Sequence, residues 1–344
     1  MAQQKPFFVR RWKLLLNIFT IGALVVFGYL LRDELGQTIT NLGKVNAAAL
    51  LLLLPIQLVN YHAQTRMYQG MFSIVGNKLT YWFLFKASVE LNFVNHVFSS
   101  GGATGITYFG LRMKDDEITG AKATLIQVMK HGLIFLSFEV LLIVAMILLA
   151  LDGKANGLTI MVGTAISTLL LVGTLLFVYV VGSKARINQF FTAVVKFLNG
   201  FINLFRKGTH ETINVSKARD VFDDFHDNYK LLRNSMPQLK APFYWAILAN
   251  FTEILSIYAV FLAFGYHVNF GAVILAYGVA NFAGLVSVLP GGAGVYEFLM
   301  TAVLATAGVP AGVSIPVIIM YRIVNTLIQI PPGYYLYQKT LRKA

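Results

Sequence analysis

Pro290-Gly291-Gly292-Ala293-Gly294-Val295-Tyr296-Glu297 interrupts an apolar run, and it has a counterpart in the first half of the chain. There Asn92-Phe93 leads to Ser100-Gly101-Gly102-Ala103-Thr104-Gly105, much as Asn281-Phe282 leads to Pro290-Gly291-Gly292-Ala293-Gly294, with spacings that differ by one residue. Each is a glycine break in a segment apolar enough for a membrane helix. A bilayer core has no water to satisfy backbone N–H and C=O groups, so non-helical backbone at that depth persists only where protein buries it or where it lines a wet cavity. Matching breaks in two halves mark a transporter built from internal repeats around a central site. Close helix packing explains isolated glycines such as Gly22, Gly28 or Gly278, but it explains adjacent glycines beside Pro290 poorly.

Working outward, hydrophobic residues make up 57% of the 344 and charged residues 12%, whereas a soluble domain is about a quarter charged. The expected class is an all-α polytopic membrane protein. Spanning segments are expected near residues 14–31, 46–61, 81–98, 121–151, 158–181, 242–264, 270–289 and 313–337. These are about eight helices, with broken or re-entrant segments near 99–111 and 290–308 in addition. The run at 14–31 follows Arg10, Arg11 and Lys13 but precedes no small-residue cleavage site, so it reads as a first membrane helix. The expected organisation is a first membrane half at 1–181, a connector at 182–240 and a second membrane half at 241–344. The connector carries ten Lys/Arg against five Asp/Glu, with Phe190, Phe197, Phe201 and Phe205 at helix-like intervals. It reads either as amphipathic helices on the membrane surface or as a solvated linker.

Charge bias sets a topology. Lys5, Arg10, Arg11 and Lys13 place the amino terminus in the cytoplasm, and the basic connector belongs there too. Five simple crossings between them would put the connector outside. The conflict disappears if the chain returns through 99–111, leaving Arg112, Lys114 and Lys122 inside and the loop Asp152 to Lys154 outside. The same treatment of 290–308 brings Lys339, Arg342 and Lys343 to the cytoplasmic side. Both termini are then cytoplasmic and the repeat is inverted. At 99–111 a re-entrant hairpin is the alternative to a full crossing, because the segment is short.

The Pro290-Gly291-Gly292-Ala293-Gly294-Val295-Tyr296-Glu297 string, the Ser99-Ser100-Gly101-Gly102 break and Tyr321-Arg322 in the final helix resemble the flippase-like transmembrane domain of lysylphosphatidylglycerol synthases and its stand-alone relatives. In two-domain members of that family an aminoacyltransferase domain follows the membrane region, and here the sequence ends a few residues after the final helix. The resemblance therefore implies translocation of a lipid or lipid-linked headgroup and does not imply lysyl transfer.

Ionisable residues within apolar helices cost several kcal/mol at the bilayer centre unless they are paired or hydrated. Lys86 and Glu90 lie four apart on one helix face, a spacing suited to a salt bridge or to a substrate contact. Lys130, His131 and Glu139 share another helix. Glu253, Glu297 and Arg322 belong to the second half, and Glu297 and Arg322 are the leading candidates, with an ion pair between two helices as the plain alternative. A lipid phosphate fits backbone N–H groups after Gly291 and Gly292 and towards Gly294, with Arg322 or Lys86 as counter-charge. An amine-bearing headgroup would want Glu297 or Glu253. Glu90, Gly101 and Gly102 complete the candidate substrate-binding set from the first half.

No catalytic motif, metal set or cofactor fingerprint is present. The chain has no cysteine, no H-E-x-x-H, no Walker loop and no dinucleotide motif, and Asp115-Asp116-Glu117 reads as a solvated loop or helix start, with divalent-ion binding as the alternative. The net charge of +13 suits anionic lipid headgroups better than nucleic acid. The expected partner is thus a membrane lipid, anionic or aminoacylated, with a homo-oligomer left open. The expected activity is that of a lipid flippase or headgroup transporter in the cell membrane. The rival is a membrane-embedded enzyme or accessory subunit of a lipid or cell-envelope transferase.

Overall fold

The computed structural model describes residues 45–97, 103–114, 118–190, 192–193, 235–286 and 294–343. The segment at 14–31, most of the connector, Asp115 to Glu117 and the pairs Gly101-Gly102 and Gly291-Gly292 lie outside the described residues. Among the described residues every regular element is helical: α1 (Ala47–Leu51), α2 (Leu53–Ile74), α3 (Tyr81–Val97), α4 (Ala103–Met113), α5 (Gly120–Leu151), α6 (Gly157–Val181), α7 (Lys240–Ala263), α8 (Phe270–Val286), α9 (Val295–Thr306) and α10 (Ala311–Lys343). Five stretches among these are long and apolar enough to cross a membrane, namely Ala47–Ile74, Gly120–Leu151, Gly157–Leu176, Pro237–Ala263 and Ala311–Arg342. The protein is an all-α polytopic membrane protein. Leu51, Leu58, Ile143, Ile147, Leu151 and Leu175 face outward, as expected where lipid replaces water as the solvent.

Two runs of four helices repeat in length. α2, α3, α4 and α5 have 22, 17, 11 and 32 residues, and α7, α8, α9 and α10 have 24, 17, 12 and 33. The two sets interlock through α2–α7, α3–α10 and α5–α8, and each of these three pairs runs antiparallel. Along α2 and α7, the Asn46 N–H before α1 donates to the carbonyl of Ala263, Asn60 bonds Ala249 and Thr252, and Gly70 meets Pro242. Along α3 and α10, Glu90 bonds Thr340 while the Phe93 ring packs at a tilt against Tyr337 and Tyr334. Along α5 and α8, Phe138 meets Tyr277 and Phe135 meets Phe282. α2 crosses its own counterpart α7, while α3–α10 and α8–α5 are one pairing made from the two sides, which is the geometry of an inverted repeat.

Hydrogen bonds between loops show where each hairpin opens. Lys122, at the start of α5, donates to the Val75 carbonyl and to Asn77, so the residues before α3 and after α4 lie at one end of the bundle. Asn269, capping α8, bonds Leu148 and Asp152, while Asn156, capping α6, bonds the Thr306 carbonyl at the close of α9. The residues before α8 and after α9 thus lie together at the opposite end. At 1.5 Å per residue, α4 and α9 are roughly 16 and 18 Å long, well short of the ~30 Å hydrocarbon core. Neither α4 nor α9 crosses that core alone, so the α3–α4 and α8–α9 pairs are hairpins that enter from opposite ends, the re-entrant alternative raised for 99–111. Lys78, Lys114, Lys122, Lys184, Lys240 and Lys339 gather at the first end, and Asp152, Lys154 and His267 at the second.

Glycine lets the halves approach. A Cβ on Gly271 of α8 would sit 2.4 Å from the Ala145 carbonyl oxygen of α5, and one on Gly333 of α10 would sit 2.4 Å from Phe93 Cβ of α3. Neither neighbour is the far end of a flexible side chain. Gly271→Ala and Gly333→Ala are each expected to cost about 1–3 kcal/mol by overpacking, read as a lower thermal midpoint in lipid nanodiscs. Gly132→Ala, where a Cβ meets nothing within 4 Å, is the control and should be neutral or mildly stabilising.

Candidate functional site

The second hairpin delivers its charge through its cap. Gly294, at the N-cap of α9, has φ of 82°, a left-handed backbone that a side chain would strain. That turn starts α9 so that Glu297, in its first turn, reaches back and accepts the Gly294 N–H at 2.7 Å through Oε2. The other carboxylate oxygen, Oε1, meets Nη1 of Arg322 on α10. The two side chains are 13% and 15% exposed, so the pair is largely withdrawn from solvent within apolar helices. Tyr296 presents its ring to the guanidinium at 5.4 Å. His96, in the last turn of α3, lies within electrostatic reach of Arg322, which sets the end of α3 near the Glu297–Arg322 pair. The two leading candidates are thus side by side, in the ion pair given as the plain alternative.

A second group lies on the next face of α10. Glu253 of α7 accepts the Tyr321 hydroxyl at 2.9 Å, Asn325 donates to the Tyr321 oxygen at 3.3 Å, and Gln329 donates to Asn325 at 3.0 Å. Gln329 also reaches Gln57 of α2 at 3.4 Å. Tyr321, Asn325 and Gln329 recur every four residues, so they form one polar stripe along an apolar helix. Sequence reasoning missed this ladder, although the spacing was its visible signal. Tyr296 lies within reach of both Glu253 and Arg322 and so stands between the two groups.

The first-half candidates go elsewhere. Glu90 is 1% exposed and accepts three donors: the Tyr108 hydroxyl at 2.8 Å, Arg112 Nε at 3.0 Å and the Thr340 hydroxyl at 2.9 Å. Arg112 lies over the Phe83 ring at 4.5 Å. Lys86 is exposed, so the salt bridge read from the four-residue spacing is replaced by one to Arg112. The carboxylate is held by α4 and α10, which the spacing within α3 could not reveal. This cluster ties α3, α4 and α10 together and stands apart from Glu297. Lys130 reaches Gln64 at 3.5 Å and lies over the Tyr68 ring at 5.3 Å. His131 Nδ1 lies 2.7 Å from the Gln127 carbonyl oxygen, and Glu139 turns towards Ser167 of α6. Of the candidate glycines only Gly294 falls among the described residues. Among those residues no group of three His, Asp or Glu is placed to hold a metal ion.

Two hairpins entering from opposite ends, with Arg322 and Glu297 paired beside them, belong to a helical membrane protein built as an inverted repeat. The chain belongs to the family described as the lysylphosphatidylglycerol synthase TM region, matched over residues 14–333, a lipid-associated membrane family. It is 36% identical over 83 residues to a UPF0104 membrane protein of Methanothermobacter thermautotrophicus, a match that covers 24% of this chain and 25% of that relative.

Proposed function

We propose that the protein moves a phospholipid or lipid-linked substrate between leaflets, with the headgroup passing through the Glu297–Arg322 site. The observation that carries this reading is a charged pair held in apolar helices at the junction of two opposed re-entrant hairpins. A charge at that depth is costly and is characteristic of substrate pathways. The guanidinium presents a planar fork of donors that suits phosphate. A headgroup phosphate would therefore exchange with Glu297 on Arg322, while the N–H groups of the first turn of α9 add their partial positive charge. Once released, Glu297 is available to an amine on the same headgroup. The basic end of the bundle is the cytoplasmic one, since Lys and Arg collect on that side of a cell membrane.

Reconstitution tests this reading. Vesicles containing the purified protein should lose the sidedness of a fluorescent phospholipid without changing its mass; a changed mass would instead favour the transferase-subunit reading. Glu297→Gln keeps an acceptor for the Gly294 N–H and is expected to slow translocation at least about tenfold, the scale of a charge-assisted hydrogen bond worth 1.5–3 kcal/mol. Wild-type rates in that variant would remove Glu297 from the pathway. Cysteines at 101 and 291 are expected to label from opposite sides of the membrane; labelling from one side would contradict opposed hairpins.

A further inference from the structure

We propose that Glu253 is a proton-binding site, and that its protonation state decides how α10 is tied to α7. The inference rests on the transport reading for its consequence but not for its chemistry. Glu253 lies midway along α7, a helix wedged between the two halves, and among the described residues it forms no ion pair. The neutral Tyr321 hydroxyl bonds it at 2.9 Å, with the neutral Gln57 side chain beside it. The groups around it are neutral as well: Tyr61 and Gln57 from α2, Tyr277 from α8, Tyr296 from α9 and Tyr321 from α10. Arg322 sits on the adjoining face of α10, against Glu297, with His96 of α3 beyond it. On α5, Lys130 is directed to Gln64, His131 to the Gln127 carbonyl and Glu139 to Ser167. A carboxylate so placed must either carry a proton or be held by donors alone.

The partners of Glu253 favour a proton over a metal cation. The Tyr321 O–H points at Glu253, and the amide donors of Asn325 and Gln329 point along the ladder in the same sense. A sodium ion would need several oxygen lone pairs facing inward, whereas the Tyr321 O–H donates to the carboxylate and, among the described residues, no second acidic group joins it in a metal-holding cluster. A proton added to Oε2 makes the acid a donor and reverses its bond to Tyr321. The Tyr321 hydrogen then needs a new acceptor, which Asn325 supplies by presenting Oδ1 in place of Nδ2. Asn325 can no longer accept from Gln329 in the same way, so one proton at Glu253 is felt as far as Gln57 on α2. The ladder joins α7, α10 and α2, whose relative movement would open or close the Glu297–Arg322 site.

The test is infrared difference spectroscopy on the full chain in lipid nanodiscs between acid and alkaline pH, without substrate. The wild type should show a protonated-carboxyl band that is lost on deprotonation. That band should be absent from Glu253→Gln and displaced in Tyr321→Phe, which removes the hydrogen-bond partner and keeps the ring. A band unchanged in both variants overturns the proposal, and if Glu253→Gln does not fold, the displacement in Tyr321→Phe decides alone. In phosphatidylethanolamine and phosphatidylglycerol vesicles, a gradient of one pH unit should alter wild-type translocation by up to about tenfold per coupled proton. The response should vanish in Glu253→Gln; a response that persists there overturns the coupling. A wild type with the band but no lipid movement upholds the proton site and sinks the transport reading.

Discussion

Arg322→Ala is expected to destabilise the protein by about 3 kcal/mol or more, because it strands the Glu297 carboxylate in an apolar interior. The Gly294 N–H at 2.7 Å remains to Glu297, which keeps the loss towards the lower end of the 3–5 kcal/mol typical of a broken buried pair. Adding Glu297→Gln to Arg322→Ala should recover most of that stability, since no isolated charge then remains. Translocation should not recover, because the phosphate has lost its fork. Arg322→Lys separates the two roles further. It keeps the charge and the pairing with Glu297 but offers a point charge in place of a planar one, so near-normal melting with slow translocation is expected. Thermal unfolding and lipid movement measured on these variants decide the matter; recovery of both quantities in the double variant would reduce Arg322 to a strut between α9 and α10.

Glu90→Ala should have an effect of similar size on stability alone. The carboxylate accepts three donors from α4 and α10, and its removal leaves the hydroxyls of Tyr108 and Thr340 and the Arg112 guanidinium without that acceptor. A cost of about 3–5 kcal/mol follows from a broken buried pair. Glu90→Gln keeps an amide oxygen for part of the set and should lose roughly half as much. Replacing both members of the pair, Glu90→Leu with Arg112→Met, should restore much of the loss, as apolar groups of similar volume often do. Lys86→Ala, at an exposed position on the same helix, should change melting by under about 0.5 kcal/mol. A Glu90→Ala protein that melts like the wild type would mean that the carboxylate holds nothing together.

That the helices break near these segments was legible in the sequence for a physical reason: adjacent glycines beside Pro290 have no use in an unbroken membrane helix, so they announced a broken crossing, with a hairpin as the alternative at 99–111. Charge parity then placed Arg112, Lys114 and Lys122 opposite Asp152 to Lys154, and the hydrogen bonds of Lys122 and Asn269 place them at opposite ends. The Glu297–Arg322 contact was also legible, because two opposite charges in apolar helices have few other ways to be accommodated. The partner of Glu90 was not. Spacing along one helix ranks neighbours within that helix, and it favoured Lys86 over Arg112, which comes from across a hairpin. The ladder through Tyr321, Asn325 and Gln329 was overlooked because neutral polar residues cost less in apolar helices than charges do and so attract less notice.

The antiparallel interlocking of the halves bears on how the chain is made. The α3–α4 hairpin emerges from the ribosome long before α10, yet its Phe93 and Glu90 are completed by Tyr337 and Thr340. Until α10 is synthesised, a carboxylate and an arginine of that hairpin sit in the bilayer or the insertion machinery without their third helix. The first half must wait half-assembled for the second, and Thr340, near the close of α10, is one of its final fasteners. A break in synthesis anywhere between α4 and α10 therefore yields a product whose Glu90 and Phe93 lack their α10 partners, the kind of species that membrane quality control removes.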